Sequence, residues 1–163
     1  MKRSLFLFSL SLLLTLGGFA QDVIRLQSCS DTLIQRQADS LKQLFGKEGF
    51  DVLKEASIMM ESEYELPVIV PLQERSTYRI VFIGDITSKL YEVRMYDWDE
   101  KEVSYQKKMW GDVDGNIIAF TYSPKFSEFH MIKPVQVNKK KKKGLCGYVM
   151  LFKRVRAGGG STE

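Results

Sequence analysis

The 163-residue sequence has little of the chemistry that enzymes use, with one histidine and two cysteines. It contains no G-x-S-x-G nucleophile motif, no H-E-x-x-H zinc motif and no glycine-rich phosphate-binding loop. We therefore predict that the protein is not an enzyme. A small hydrolase is kept as an alternative, in which Cys146 and His130 would form a nucleophile–base pair.

The sequence also has no βαβ alternation, no internal repeat and no heptad pattern, and its 27% charged residues exclude a wholly membrane-embedded chain. One uncharged apolar run, residues 5–16, follows Lys2 and Arg3 and precedes the small residues around Ala20. This layout predicts a signal peptide over residues 1–20 and export to the periplasm or the extracellular space. A membrane anchor would need roughly 20 apolar residues. Lipid attachment at Cys29 is disfavoured by the charges of Asp22 and Arg25.

The charge pattern argues against a dedicated nucleic-acid binder. Without residues 1–20 the chain has 143 residues, 22 of them basic and 20 acidic, and five of the basic residues are consecutive. Without those five lysines its net charge would be −3. The apparent pI near 9.0 therefore reflects positive charge concentrated in one segment and not a positive potential over the whole surface. We predict no transmembrane segment after signal cleavage.

The two cysteines, Cys29 and Cys146, would meet in an oxidising compartment if the chain is exported. We predict one disulfide between them, which would tie the start of the mature chain to its last strand. The alternative is a pair of separate buried thiols.

Periodicity predicts an amphipathic helix over residues 31–45, with its apolar stripe packed on a sheet. Residues 50–60 fit either a strand or a helix. Pro67 and Pro71 indicate that residues 65–72 form an edge or terminal strand. Further strands are predicted at 78–83, 91–96, 103–108, 116–122, 129–137 and 145–153.

About eight short strands separated by polar turns predict a mostly β fold, an antiparallel β-sandwich or jelly roll with an N-terminal amphipathic helix. We divide the chain into a signal peptide (1–20), a helical extension (21–49), the β-sandwich domain (50–154) and a flexible tail (155–163).

Four segments resemble the bacterial pre-peptidase C-terminal domain: Tyr78–Asp85, Tyr91–Asp97, Ile117–Pro124 and Ser127–Ile132. The resemblance covers residues 65–153. It implies a secreted jelly roll with a non-catalytic, accessory role and supplies no catalytic residue. The chain departs from the family pattern at Glu128, where the family favours glycine.

Two groups of residues are candidates for ligand binding. Tyr96, Trp98 and Trp110 flank acidic turns, and aromatic rings beside carboxylates can stack on sugars; in this hypothesis Trp98 is exposed, whereas Trp110 is expected to pack. Asp97, Asp99, Asp112, Asp114 and Asn116 would supply oxygen ligands for calcium if their turns met at one end of the sandwich. The alternative is that these residues only form turns, and no other cofactor is predicted.

A third candidate is the lysine run, made of Lys139, Lys140, Lys141, Lys142 and Lys143. Five adjacent ammonium groups cannot be buried, so we predict an exposed hairpin tip between the last two strands. That register would place Cys146 and His130 roughly 20 Å apart and leave His130 at the surface. The tip either keeps sheet edges apart or contacts an anionic surface.

These observations favour a secreted or periplasmic β-sandwich that acts as a binding or accessory module for an unknown partner. The partner would be a protein or a carbohydrate, and a carbohydrate-binding module centred on Trp98 is the main alternative.

Overall fold

The computed structural model describes residues 28–113 and 115–155. They form one helix and eight strands, and the predicted β-sandwich is confirmed. The predicted signal peptide lies outside the described residues, as does the predicted tail beyond Val155. The elements are α1 (Thr32–Lys47), β1 (Phe50–Met60), β2 (Val68–Leu72), β3 (Tyr78–Gly84), β4 (Leu90–Tyr96), β5 (Glu102–Met109), β6 (Ile117–Tyr122), β7 (Glu128–Val137) and β8 (Leu145–Arg154).

The strands pair as a folded-over ribbon, with β1 antiparallel to β8, β2 to β7, β3 to β6 and β4 to β5. Additional pairing of β3 with β8 and of β4 with β7 closes two four-stranded sheets. The first sheet has the order β1-β8-β3-β6 and the second has the order β2-β7-β4-β5. This is the double Greek-key arrangement of a jelly roll.

Among the eight strands of the described residues, only β4 and β5 are both consecutive in sequence and paired with each other. The predicted hairpin between β7 and β8 is therefore wrong, because β7 belongs to the second sheet and β8 to the first. Residues 138–144, which we call the lysine loop, cross from one sheet to the other. Register arguments based on a β7–β8 hairpin do not apply.

The ambiguous segment 50–60 is strand β1, which pairs with β8 from Phe50 to Met60 with one bulge between Val52 and Lys54. β2 is an edge strand, as its prolines indicate. Large apolar side chains from both sheets fill the space between them. They include Ile58, Met60, Val70, Ile80, Phe82, Tyr91, Val93, Met95, Ile132 and Leu151.

Helix α1 covers the outer face of the first sheet. Asp31 caps its N-terminus by accepting hydrogen bonds from the backbone N–H groups of Leu33 and Ile34. The helix buries Ala38 and Phe45, and the Phe45 ring meets Phe152 of β8 edge-on with centroids 5.3 Å apart. The predicted packing of the helix on a sheet is confirmed. No helix among the described residues is long and apolar enough to cross a membrane.

The predicted disulfide joins Cys29, which precedes the helix, to Cys146 at the start of β8. Their Cα atoms lie 5.7 Å apart, within the usual range. The hydroxyl of Ser57 on β1 bonds to the backbone of Cys29 and holds this segment against the first sheet. The disulfide and the Ser57 hydrogen bonds therefore attach the start of the described chain to the β1–β8 pair.

We expect the double variant Cys29→Ser/Cys146→Ser to lose about 4–5 kcal/mol of unfolding free energy, because the bond closes a loop between residues 117 apart. The measurement is urea denaturation of wild type and variant. Wild type in reductant is the matched control and should approach the variant. Two alkylatable thiols in the native, non-reduced protein would contradict the disulfide.

Candidate binding surface

Among the described residues, no helix lies on the outer face of the second sheet, in contrast to that of the first sheet. Alternate residues of its strands point away from the core, so their side chains meet solvent. Several of these outward residues are large and apolar. Ile69 of β2 and Phe129 of β7 are each about half exposed, whereas an outward face covered only by water is usually polar.

Strand register assembles these residues into one patch. Ile69 lies opposite Met131, and Met131 lies opposite Tyr96 on the other side of β7. Pro71 lies opposite Phe129, and Trp98 follows β4 beside Phe129. We call this set the aromatic patch; its members are Ile69, Pro71, Tyr96, Trp98, Phe129 and Met131.

The Trp98–Phe129 pair is the centre of the aromatic patch. The two ring centroids are 5.9 Å apart with their planes inclined at 47°. Trp98 remains 67% exposed and Phe129 50% exposed. Contact between the rings restricts both side chains, so a partner would immobilise them at a reduced entropic cost. The predicted exposure of Trp98 is confirmed.

A network of charges borders the patch on β4, β5 and β7. Lys133 holds its ammonium 4.8 Å from the centre of the Tyr96 ring and 3.4 Å from the Glu65 carboxylate. Glu92 accepts a 2.9 Å hydrogen bond from the Tyr105 hydroxyl, and this bond raises the pKa of Tyr105. On the side of Trp98, the turn after β4 carries Asp97, Asp99 and Glu100. The border next to Trp98 is therefore acidic.

The sequence groups Trp110 with Tyr96 and Trp98 as a candidate binding residue, but Trp110 does not belong to the aromatic patch. It follows the far end of β5, roughly 26 Å of strand away at 3.3 Å per residue. The expectation that Trp110 packs is also wrong, because the side chain is 62% exposed. Its ring is covered on one face by the Lys89 ammonium, 4.1 Å from the ring centroid.

The two acidic turns considered for calcium do not meet at one end of the sandwich, because they flank the same strand. Asp97 and Asp99 precede β5, whereas Asp112 and Asn116 follow it, and a strand places its two flanking turns at opposite ends. Asp114 lies outside the described residues. Within the described residues no three His, Cys, Asp or Glu side chains form a metal-binding group.

The side chains of the acidic turns instead close the turns themselves. Asp97 accepts a hydrogen bond from the N–H of Lys101, and Asp112 accepts one from the N–H of Met109. Asn116 is buried and exchanges two hydrogen bonds with Gln37 of helix α1. Asp97 and Asp112 therefore follow the turn interpretation, in which Asp is selected for local backbone bonding, whereas Asn116 bonds to distant segments.

His130 is buried, contrary to the expectation of a surface residue. It does alternate with Phe129 and Met131, but those two point to solvent and His130 points into the sandwich, 1% exposed. Its ring contacts the Tyr122 hydroxyl, with His130 Nε2 3.2 Å from the phenolic oxygen. Cys146 is held in the disulfide, so the Cys146–His130 nucleophile pair does not exist in this structure.

The lysine loop is exposed, as predicted, and three of its ammonium groups have acidic neighbours. Lys141 lies 3.4 Å from Asp85, and the other two pairs are Lys142 with Glu63 and Lys143 with Glu61. Within the described residues, Lys139 and Lys140 have no carboxylate within 4.0 Å. Part of the positive charge seen in the sequence is therefore offset locally.

Sequence reasoning missed a buried polar cluster beneath the lysine loop. The side-chain oxygen of Gln136 accepts hydrogen bonds from the Asp85 N–H and the Ser88 hydroxyl, while its NH₂ group donates to the Cys146 carbonyl. The Tyr91 hydroxyl donates to the carbonyls of Asp85 and Ser88. No buried side-chain polar atom among the described residues lacks a partner. These contacts join both sheets where the lysine loop crosses between them.

Electrostatics distinguishes the two ionisable members of this cluster. Burial raises the pKa of Tyr91 to about 12, and the negative charge of Asp85 adds to that rise. Burial alone would also raise the pKa of the Asp85 carboxyl. Hydrogen bonds from Thr87 and the Lys141 ammonium outweigh burial and lower the Asp85 pKa below its usual 3.8. The cluster therefore contains a carboxylate that is ionised at neutral pH.

A large concavity lies at the opposite end of the sandwich from the lysine loop. It is an open cleft of about 1000 Å³ between the start of β1, the β2–β3 loop and the end of β8. Its lining contains both cations and carboxylates, including Arg75, Lys153, Glu48 and Asp51. This mixed lining does not select a ligand of one charge.

The sequence matches no protein-family model and no curated protein. Among solved structures it is similar to BtGH115A, a family GH115 4-O-methyl-α-glucuronidase with specificity for decorated arabinogalactans. The identity is 8% and the TM-score 0.39, over 62% of this chain and 14% of that chain. It is also similar to the glycosylation-associated protein (Gap123) complex from Streptococcus agalactiae, with 11% identity and a TM-score of 0.33, over 65% of this chain and 39% of that chain.

The chain thus spans less than half of either solved structure, and similarities this weak carry no functional conclusion. The resemblance to the pre-peptidase C-terminal domain stays a prediction.

We expect Asp85→Asn to lower the unfolding free energy at neutral pH by about 1–3 kcal/mol, since it removes a buried hydrogen-bonded carboxylate. The native-state pKa of Asp85 is depressed, so its contribution is present above pH 3.8 and is lost as the pH falls through the native-state value. Wild type and variant should therefore converge in urea denaturation as the pH falls below 3.8 and through the native-state pKa of Asp85. Asp99→Asn, at an exposed position, is the control and should match wild type; an undiminished difference in acid would contradict the role of Asp85.

Proposed function

We propose that this protein is an exported, non-enzymatic interaction module that binds a protein partner through the aromatic patch. The observation that carries the proposal is the exposed Trp98–Phe129 pair, on the sheet face that no helix of the described part of the chain covers. Tryptophan and other aromatic residues dominate the energetics of protein interfaces. The signal-peptide pattern and the disulfide support export to the periplasm or beyond the cell.

The composition of the patch favours a protein over a sugar. Aromatic rings can stack on a sugar, but half of the patch is aliphatic or proline: Ile69, Pro71 and Met131. Such side chains gain free energy by burial against other apolar side chains. Because Asp97, Asp99 and Glu100 border Trp98, we expect the facing surface of the partner to be basic.

Carbohydrate binding is the second candidate function. It is supported by the exposed Trp98 beside Tyr96, whose hydroxyl lies 3.5 Å from a Glu102 carboxylate oxygen. The rings would stack on a sugar face while the carboxylates accept hydrogen bonds from sugar hydroxyls. In this version the site involves Trp98 and Tyr96 but not Trp110.

The proposal is tested by photo-crosslinking in the cell that exports the protein. A benzophenone amino acid in place of Phe129 should capture a discrete protein, because position 129 would be buried at the interface. The same amino acid in place of Trp110, which is also exposed but lies roughly 26 Å of strand from Trp98, is the matched control and should not capture that protein. Identical products from both positions would contradict a specific role of the patch.

With the captured protein purified, we expect Trp98→Ala and Phe129→Ala each to weaken binding by about 2 kcal/mol, roughly 30-fold. Both residues are exposed, so their removal should change folding stability by less than about 0.5 kcal/mol. Isothermal titration measures affinity, and thermal denaturation checks the fold. If neither substitution weakens binding, whereas glycan-array binding is lost in Trp98→Ala, the carbohydrate function replaces the protein function.

A further inference from the structure

Four connections lie together at the end of the sandwich that carries the lysine loop: residues 61–67, 85–89, 138–144 and the described part of the β5–β6 connection, residues 110–113 and 115–116. We call this the lysine end. Hydrogen bonds join the four connections into one surface. The Ser62 N–H donates to the Lys142 carbonyl, the Asn138 side chain donates to Thr87, and the Trp110 N–H donates to the Lys89 carbonyl.

Apolar side chains are exposed on two of these connections. Trp110 is 62% exposed and Val113 85% exposed, both between β5 and β6, and Ile86 between β3 and β4 is about half exposed. A single exposed apolar side chain is common in soluble proteins. Here three of them occupy neighbouring loops at one end of the molecule, tied together by the bond between Trp110 and Lys89. They form a cluster that can enter an apolar phase together.

Unpaired cations border this cluster. Lys89, Lys139 and Lys140 have no carboxylate within 4.0 Å among the described residues, and Lys89 lies over the Trp110 ring. Among the described residues, four nearby acidic groups have partners of their own. Glu61, Glu63 and Asp85 each pair with another lysine of the loop. Asp112 directs its carboxylate to the Met109 N–H of its own turn.

We propose that the lysine end docks on an anionic phospholipid surface. Tryptophan favours the boundary between headgroups and acyl chains, where its ring is in an apolar phase and its N–H is hydrated. Trp110, Ile86 and Val113 enter this boundary, while Lys89, Lys139 and Lys140 remain among the headgroup phosphates. An acidic polysaccharide would pair with the lysines but offers no apolar phase for the three side chains, so the bilayer is the occupant that both features fit.

This docking does not rest on the aromatic patch. Trp98 precedes β5 and Trp110 follows it, so the two tryptophans lie at opposite ends of that strand. Because they are the only tryptophans in the sequence, each can be observed alone. Membrane docking can therefore be tested independently of the protein-binding function.

The test uses residues 21–163, which contain every described element, and vesicles of phosphatidylcholine with or without an equal part of phosphatidylglycerol. In the Trp98→Phe variant, brominated phosphatidylglycerol vesicles should quench the emission of Trp110. In the matched Trp110→Phe variant, the same vesicles should leave the emission of Trp98 unquenched. The paired variants show which end meets the bilayer.

Cosedimentation measures the contribution of each feature. Lys139→Ser/Lys140→Ser should weaken partitioning on the anionic vesicles by about fivefold per lysine, roughly 25-fold in all. Trp110→Ser should weaken it at least about tenfold, since the ring no longer leaves water. Lys125→Ser, an exposed lysine in the β6–β7 connection at the opposite end, is the charge control and should leave partitioning unchanged. Added salt should weaken the wild-type interaction.

Three results would overturn the proposal. One is an unquenched Trp110 with no cosedimentation. Another is equal quenching of Trp98 and Trp110, which would indicate adsorption without orientation. The third is retention on a heparin column without vesicle binding, which would identify the lysine end as a site for acidic polysaccharide.

Discussion

The antiparallel pairing of β1 with β8 is the contact on which the rest of the molecule depends. These strands are the first and last of the sandwich, and β8 also pairs with β3 in the same sheet. In sequence, the strands of the β2–β7, β3–β6 and β4–β5 pairs all lie between β1 and β8. The same folding of the chain back on itself that pairs β1 with β8 also brings these strands together. Pairing residues so far apart in sequence is entropically costly, and the Cys29–Cys146 bond offsets part of that cost in the unfolded chain.

Helix α1 makes the two faces of the sandwich unequal. Its apolar stripe covers Val81, Met150 and Phe152, so the outer face of the first sheet is a second core. The second sheet has no such layer among the described residues, and yet it carries Trp98, Phe129 and Ile69 outward. An apolar surface exposed on a folded domain costs free energy that a binding partner can recover. This asymmetry is why the second sheet is the face proposed for a protein partner.

The two ends of the sandwich differ in chemistry because odd and even connections of a jelly roll fall at opposite ends. One end combines Trp98 with the acidic turn 97–100, and the other combines Trp110 with the lysine loop. The buried cluster around Gln136 and Asp85 fixes the lysine loop to both sheets. Each end therefore presents a tryptophan on a rigid support with its own charge, which suits two different surfaces and not one composite site.

Local patterns in the sequence determined the helix, the strand positions, the edge character of β2, the exposure of Trp98 and the presence of a disulfide. Each depends on neighbours along the chain or on the existence of only two cysteines. Only the tertiary structure decided which strands pair, because strand order depends on contacts between distant segments. Without it the lysine loop resembled a hairpin tip, the acidic turns were free to converge, and His130 was assigned to the wrong face of β7. Alternation along a strand shows that two faces differ, but only the position of the strand in the sandwich shows which face meets water.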